Sequence, residues 1–118
     1  MNYVDGFVIP VPKARLGDYR KLARLGRKVW MEHGALAYHE CVADDAPVGK
    51  LTSFPRSVKL KDDEVVVFAY IVYKSRAHRD KVNKLAMNDK RFAKMDIKNM
   101  PFDTKRMIYG GFRTIVSA

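Results

Sequence analysis

The sequence predicts an α+β fold of ferredoxin-like architecture, β-α-β-β-α-β. Its antiparallel sheet would carry two helices on one face and a second copy of the chain on the other, making a dimeric α+β barrel. Three observations carry this. Two stretches of helical periodicity alternate with four β-rich runs along the 118 residues. Their order is that of the split βαβ unit. The third β-rich run is apolar on both of its faces, and two helices cover only one face of a four-stranded sheet.

Residues 3–9 are β-rich, and Pro10 and Pro12 are expected to close this first strand. A helix follows over 14–33. Leu16, Tyr19, Ala23, Gly26, Trp30 and His33 recur at spacings of three and four, which is one helical face. Gly34 is the residue type that ends a helix. Residues 36–42 read as the second strand, with Leu36, Tyr38, Glu40 and Val42 on one face and Ala37, His39 and Cys41 on the other. Residues 43–63 read as irregular, punctuated by DDAPVG and FPRS. Glu64 opens the third strand, EVVVFAYIVY, in which nine apolar residues follow without a break. Ser75 is placed to cap a second helix over 75–88, with Val82, Leu85 and Ala86 as its apolar stripe. Residues 89–104 read as loop or a short helical turn. Residues 107–116 form the last strand, where Gly110 and Gly111 suggest a bulge or a close backbone approach.

The both-faced apolar pattern has a consequence. On the third strand Val65, Val67, Ala69, Ile71 and Tyr73 lie opposite Val66, Phe68, Tyr70 and Val72, and on the last Ile108, Phe112 and Val116 lie opposite Met107, Tyr109 and Ile115. Whichever set faces away from the helices would leave a large apolar patch in water. A second copy packed about a two-fold axis is the simplest cover. A sheet face that stacks RNA bases is the alternative.

A length of 118 residues suits one domain, 1–118. With 47% hydrophobic and 31% charged residues the chain is outside the composition of disordered segments. No apolar run approaches the roughly 20 residues that span a bilayer, so no membrane association is expected. The opening MNYVDGFVIP has no basic n-region, so no signal peptide is expected. The single cysteine, Cys41, allows no intrachain disulfide and suggests a reducing, cytoplasmic setting. The formal net charge of +10 is unusual. It resides on Lys13, Arg15, Arg20, Lys21, Arg24, Arg27 and Lys28, and on the cations of 74–94, which are the two helical segments.

The stretches YVDGF (3–7), EHGALAYHECVADDAPVGK (32–50), DEVVVFAYIVY (63–73) and MPFDTKRMIYGGF (100–112) resemble the YbaA-like family, whose function is unknown. The resemblance covers nearly the whole chain. It implies the dimeric α+β barrel superfamily, which includes small-molecule monooxygenases, haem-modifying enzymes and ligand-sensing modules. It implies no catalytic residue and no cofactor.

Candidate site residues follow from the helix that packs on the sheet. Trp30 and His33 share its inner face, and with His39 and Tyr109 opposite they would line an aromatic pocket with polar handles. This predicts a small organic molecule bound between helices and sheet, with a histidine moving any proton. His39 and Cys41 also share a strand face, but a metal needs a third ligand, and neither a metal nor a cofactor is expected. Asp5, alone in an apolar strand, is a candidate base, a carboxylate projecting from an edge, or the partner of a cation across the interface. The helical cations suggest nucleic acid or another polyanion as the rival partner. No recognition motif supports it: there is no RNP1-like run and no helix-turn-helix or zinc spacing. A structural dimer without ligand is the third reading.

Overall fold

A computed structural model describes residues 1–118. Four strands, β1 (Tyr3–Pro12), β2 (Ala37–Val42), β3 (Glu64–Tyr73) and β4 (Ile108–Arg113), form one antiparallel sheet in the order β2-β3-β1-β4. Two long helices, α1 (Leu16–Glu32) and α3 (Arg76–Met87), and two one-turn helices, α2 (Phe54–Ser57) and α4 (Lys90–Ala93), lie between them. The fold is thus mixed α+β with a four-stranded antiparallel sheet, as the periodicities indicate. No helix is long and apolar enough to cross a membrane.

β1 runs three residues past its expected end. Pro10 lies opposite Val66 and Pro12 opposite Glu64. The reason is strand alternation. Lys13 N–H bonds to Asp63 O, on the β3 side, while Asn2 O accepts from Thr114 N–H, on the β4 side. The even-numbered positions therefore face β4, and β4 pairs only with Tyr3–Val8. Pro10 and Pro12 lack their N–H where no acceptor waits. β4 is shorter than expected for a related reason. Its Arg113 pairs with Tyr3, and past that point β1 has run out.

α1 starts after a 3-10 turn, Lys13–Arg15, with Asp18 in its first turn where the helix dipole favours an acid. It ends in a Schellman motif. Gly34 adopts φ 116°, Ala35 N–H reaches Trp30 O, and Gly34 N–H reaches Met31 O. α3 begins where Ser75 Oγ accepts the His78 N–H at 3.1 Å.

Both long helices pack on the same sheet face. Tyr19 of α1 joins Ile9, Val11, Val67 and Ala69. Val82 of α3 joins Ile71, Tyr73 and Ala35, with Trp30 against them. The other face is covered at one end only. There the 43–63 connection lays Val58 on Val8 and Val66, with Ala43 and Leu60 beside them. Arg106 pins that connection, bonding Glu64 Oε2 at 2.6 Å and Lys59 O at 3.0 Å. Beyond it Phe68, Ile108 and Phe112 are exposed, the last at 63%.

Candidate functional site

The register of the sheet decides which side chains face the helices. Asp5 lies opposite Ile71, and Ile71 opposite Tyr38. Phe7 lies opposite Ala69, and Ala69 opposite Glu40. These residues therefore share the helix-covered face, together with Tyr109 and Gly111 of β4. Near β4 that face lacks side-chain volume. Gly110 and Gly111 pair with Gly6 and Asp5 in unbroken register, so they form no bulge. Gly111 permits a close approach, since a Cβ there would collide with the Tyr3 ring.

The result is a cavity of about 530 Å³ between α1, α3 and the sheet, roofed by α4 and the 95–107 segment. Its wall is mostly apolar, and Met87, Met95, Met100 and Met107 all contribute. Trp30 meets Phe92 of α4 edge to face, with ring centroids 5.3 Å apart. Phe7 stacks on Tyr109 at 6.3 Å.

Two polar clusters interrupt this wall. In the first, Glu40 accepts two phenols: Tyr19 Oη donates to Oε1 at 2.6 Å and Tyr38 Oη to Oε2 at 2.8 Å. Gly26 of α1 makes room for the Tyr38 hydroxyl, which a Cβ there would strike. Burial, and then the charge of Glu40, raises the pKa of both tyrosines well above the usual phenol value. In the second cluster, Asp5 is only 5% exposed. Arg79 Nη1 donates to its Oδ1 at 2.6 Å, and Asn83 Nδ2 stands 3.4 Å from its Oδ2. Asn83 Oδ1 in turn accepts from Trp30 Nε1 and Tyr73 Oη, each at 2.9 Å. Burial and the Asp5 charge push the Tyr73 phenol up as well. The Arg79 guanidinium also lies over the Tyr3 ring, 5.0 Å from its centroid.

Of the residues expected to meet in a pocket, Trp30 and Tyr109 line this cavity. His33 does not. It caps the C-terminus of α1, and its Nε2 lies 3.0 Å from Asp89 Oδ2. Arg91 and then His33 hold the Asp89 carboxyl well below the usual carboxylate range. His39 is corrected to the opposite side of the sheet. Alternation puts it with Cys41 on the open face, where it stacks on Tyr70 at 4.8 Å. The cavity wall carries no histidine, so the proton carrier expected from the sequence is not in place. Asp5 is paired within the chain rather than across an interface.

Glu40, Arg79 and Asn83 are site residues that the sequence reading passed over. Glu40 had a visible signal, since it shares a strand face with Tyr38 two residues away. Arg79 and Asn83 had none, because nothing in a basic helix marks which cation turns inward. No group of three or more His, Cys, Asp or Glu side chains is arranged to hold a metal.

A de novo designed protein, Foldit4, matches 97% of this chain and 99% of its own at a TM-score of 0.53 and 13% identity. That likeness concerns the fold alone. The uncharacterised protein YbaA of Escherichia coli K12 is 46% identical over 116 residues, covering 98% of each chain. YbaA of Shigella flexneri is similar to the same extent. The model of a family described as protein of unknown function (DUF1428) matches residues 2–104, which include both carboxylate clusters of the cavity. With YbaA similar from end to end and the family model matched through β1–β3, the chain belongs to the DUF1428 family of proteins of unknown function.

Proposed function

We propose that the chain is a single ferredoxin-like domain that pairs through its open sheet face into a dimeric α+β barrel. In each copy a small organic molecule would bind between the helices and the sheet. The observation that carries the ligand reading is the cavity of about 530 Å³, apolar over most of its wall and bearing two ordered carboxylate clusters. That volume and that mixture are those of small-molecule sites. The strand order β2-β3-β1-β4 supports the ferredoxin-like assignment. Exposed Phe68, Ile108 and Phe112 support the dimer. Covering three such side chains, each about half exposed, contributes roughly 2–5 kcal/mol per copy before the costs of association.

Two measurements test these readings. Light scattering coupled to size exclusion should report a dimer, and Phe112→Asp should convert it to a monomer; a monomeric parent chain removes the pairing. The neutral fluorophore N-phenylnaphthylamine should brighten on binding. Ala23→Trp, which fills the cavity from α1, should abolish that signal while circular dichroism stays unchanged. No brightening with the parent chain, or equal brightening with Ala23→Trp, removes the ligand reading.

A second reading rests on α1. Its Arg20, Arg24, Arg27 and Lys28 are exposed and make no ion pair within 4.0 Å. A polyanion held there would bind with an affinity that falls steeply with salt. Single-stranded RNA that fails to bind at low salt, or binds equally after charge reversal of the four residues, removes it.

A further inference from the structure

The two carboxylates of the cavity differ in what balances them. Asp5 has a counter-charge, since the Arg79 guanidinium lies 2.6 Å away. Arg79 is itself shared with Asp80 at 2.7 Å, so it has no surplus positive charge to offer a ligand. Glu40 has no counter-charge. Its partners are the neutral hydroxyls of Tyr19 and Tyr38, and it belongs to none of the ion pairs of the chain.

The phenols cannot take up that charge, because burial and Glu40 itself keep their protons in place. They act as donors that fix the carboxylate. Each Glu40 oxygen uses one hydrogen bond of the two or so it can accept, which leaves capacity for a further donor. Glu40 is partly buried, and a carboxylate withdrawn in part from water without a cation is stabilised by a cation that a ligand brings. The rest of the molecule makes the contrast sharper. The chain carries +10 overall, yet the charged groups on this wall are two carboxylates and one guanidinium. An anionic ligand would meet Asp5 and Glu40 together.

The apolar wall suits the same occupant. Trp30, Phe92, Phe7 and Tyr109 offer ring faces and edges, and ring faces attract cations. The four methionines are polarisable and adapt to irregular shapes. On the reading of this cavity as a ligand site, we propose that its ligand is an organic cation, an amine on an apolar or aromatic body. The ammonium would bond Glu40 and the body would lie along the methionine and aromatic wall.

Three probes of similar length test this: phenylbutylamine, phenylbutanol and phenylbutyrate, titrated calorimetrically into the parent chain and into Glu40→Gln. The amine should bind the parent chain about ten-fold more tightly than the alcohol, as one charge-assisted hydrogen bond implies. The carboxylate should bind most weakly. Glu40→Gln, with its circular dichroism unchanged, should bring the amine down to the alcohol. Amine and alcohol of equal affinity, or a preferred carboxylate, overturn the proposal while the fluorophore signal keeps the cavity reading intact. An amine preference that survives in Glu40→Gln overturns it also. If no probe and no fluorophore binds the parent chain, both readings fall. The ranking on the parent chain needs no variant, so a Glu40→Gln that misfolds leaves the test decisive.

Discussion

The two faces of the sheet are made by the same strands and have opposite characters. On the helix face, the chain answers its polar groups, the buried Asp5 with Arg79 and Asn83 and the partly buried Glu40 with two tyrosines. No buried side-chain nitrogen or oxygen is left without a partner. On the open face, the one buried acid, Glu64, is answered by Arg106 where the 43–63 connection covers it; beyond that the side chains are mostly apolar, His39 and Tyr70 apart, and the covering is incomplete. The 43–63 connection closes over Val8 and Val66, and then Phe68, Ile108 and Phe112 meet solvent. The difference teaches where each kind of interaction belongs. A face finished by the chain's own helices can hold charges in fixed geometry, because the partners come with the fold. The groups on the uncovered part of the other face need no particular partner, only removal from water.

The sharpest way to break this contrast is to remove one answer on the helix face. Arg79→Ala leaves the Asp5 carboxylate buried beside Asn83 alone, and it should cost about 3–5 kcal/mol in urea unfolding. A loss below 1 kcal/mol would mean that water reaches Asp5. Acid attacks contacts of the same kind more gradually. Arg106 holds Glu64 and Asp103 below the usual carboxylate range, and Arg91, then His33, does so for Asp89. Each binds its proton more weakly in the folded chain than in the unfolded one. The stability they add is therefore complete above their unfolded values, about pH 4, and is lost as the pH falls through the folded ones. The urea midpoint should drop between pH 5 and pH 3 and change little between pH 6 and pH 7.

Tyr19→Phe is milder. It removes one of the two donors to Glu40 and should cost about 1.5–3 kcal/mol, since the acceptor is charged. On the open face the same assay should be nearly silent. Phe112→Ser, measured dilute enough for the chain to be monomeric, should change stability by no more than about 0.5 kcal/mol, as exposed substitutions do. A larger loss would show that Phe112 supports its own strand, through its contacts near Gly6 and Gly110, more than it awaits a partner.

The contrast between the faces was partly legible in the sequence. The unbroken apolar run of β3 announced a strand buried on two sides, and its bounds, Glu64–Tyr73, are those of the structure. Ser75 announced the start of α3 through its side-chain oxygen. What periodicity alone does not reveal is which alternate set turns toward the helices. His39 and Glu40 are neighbours in β2, and a strand shows them to opposite sides. Reactive residue type drew attention to His39, while register gave the cavity to Glu40. The cation that answers Asp5 comes from α3, 74 positions along the chain. Local pattern does not reach that far. Pro10 and Pro12 misled in the other direction. They read as stop signals because a proline's missing donor matters only on the side where a neighbour lies, and the sequence does not say which side that is.

Those prolines also govern how copies of the chain are able to meet. A sheet edge with free N–H groups is a template on which another strand can grow, and such growth has no natural end. Along the last residues of β1, where β4 has stopped, the positions facing outward offer no donor. Pro10 is itself fully buried, and at Pro12 a stray strand would find no donor and no ladder to join. On the pairing proposed above, a blunted edge would leave self-association to the broad face, where two copies would satisfy one another and a third would find nothing left to hold.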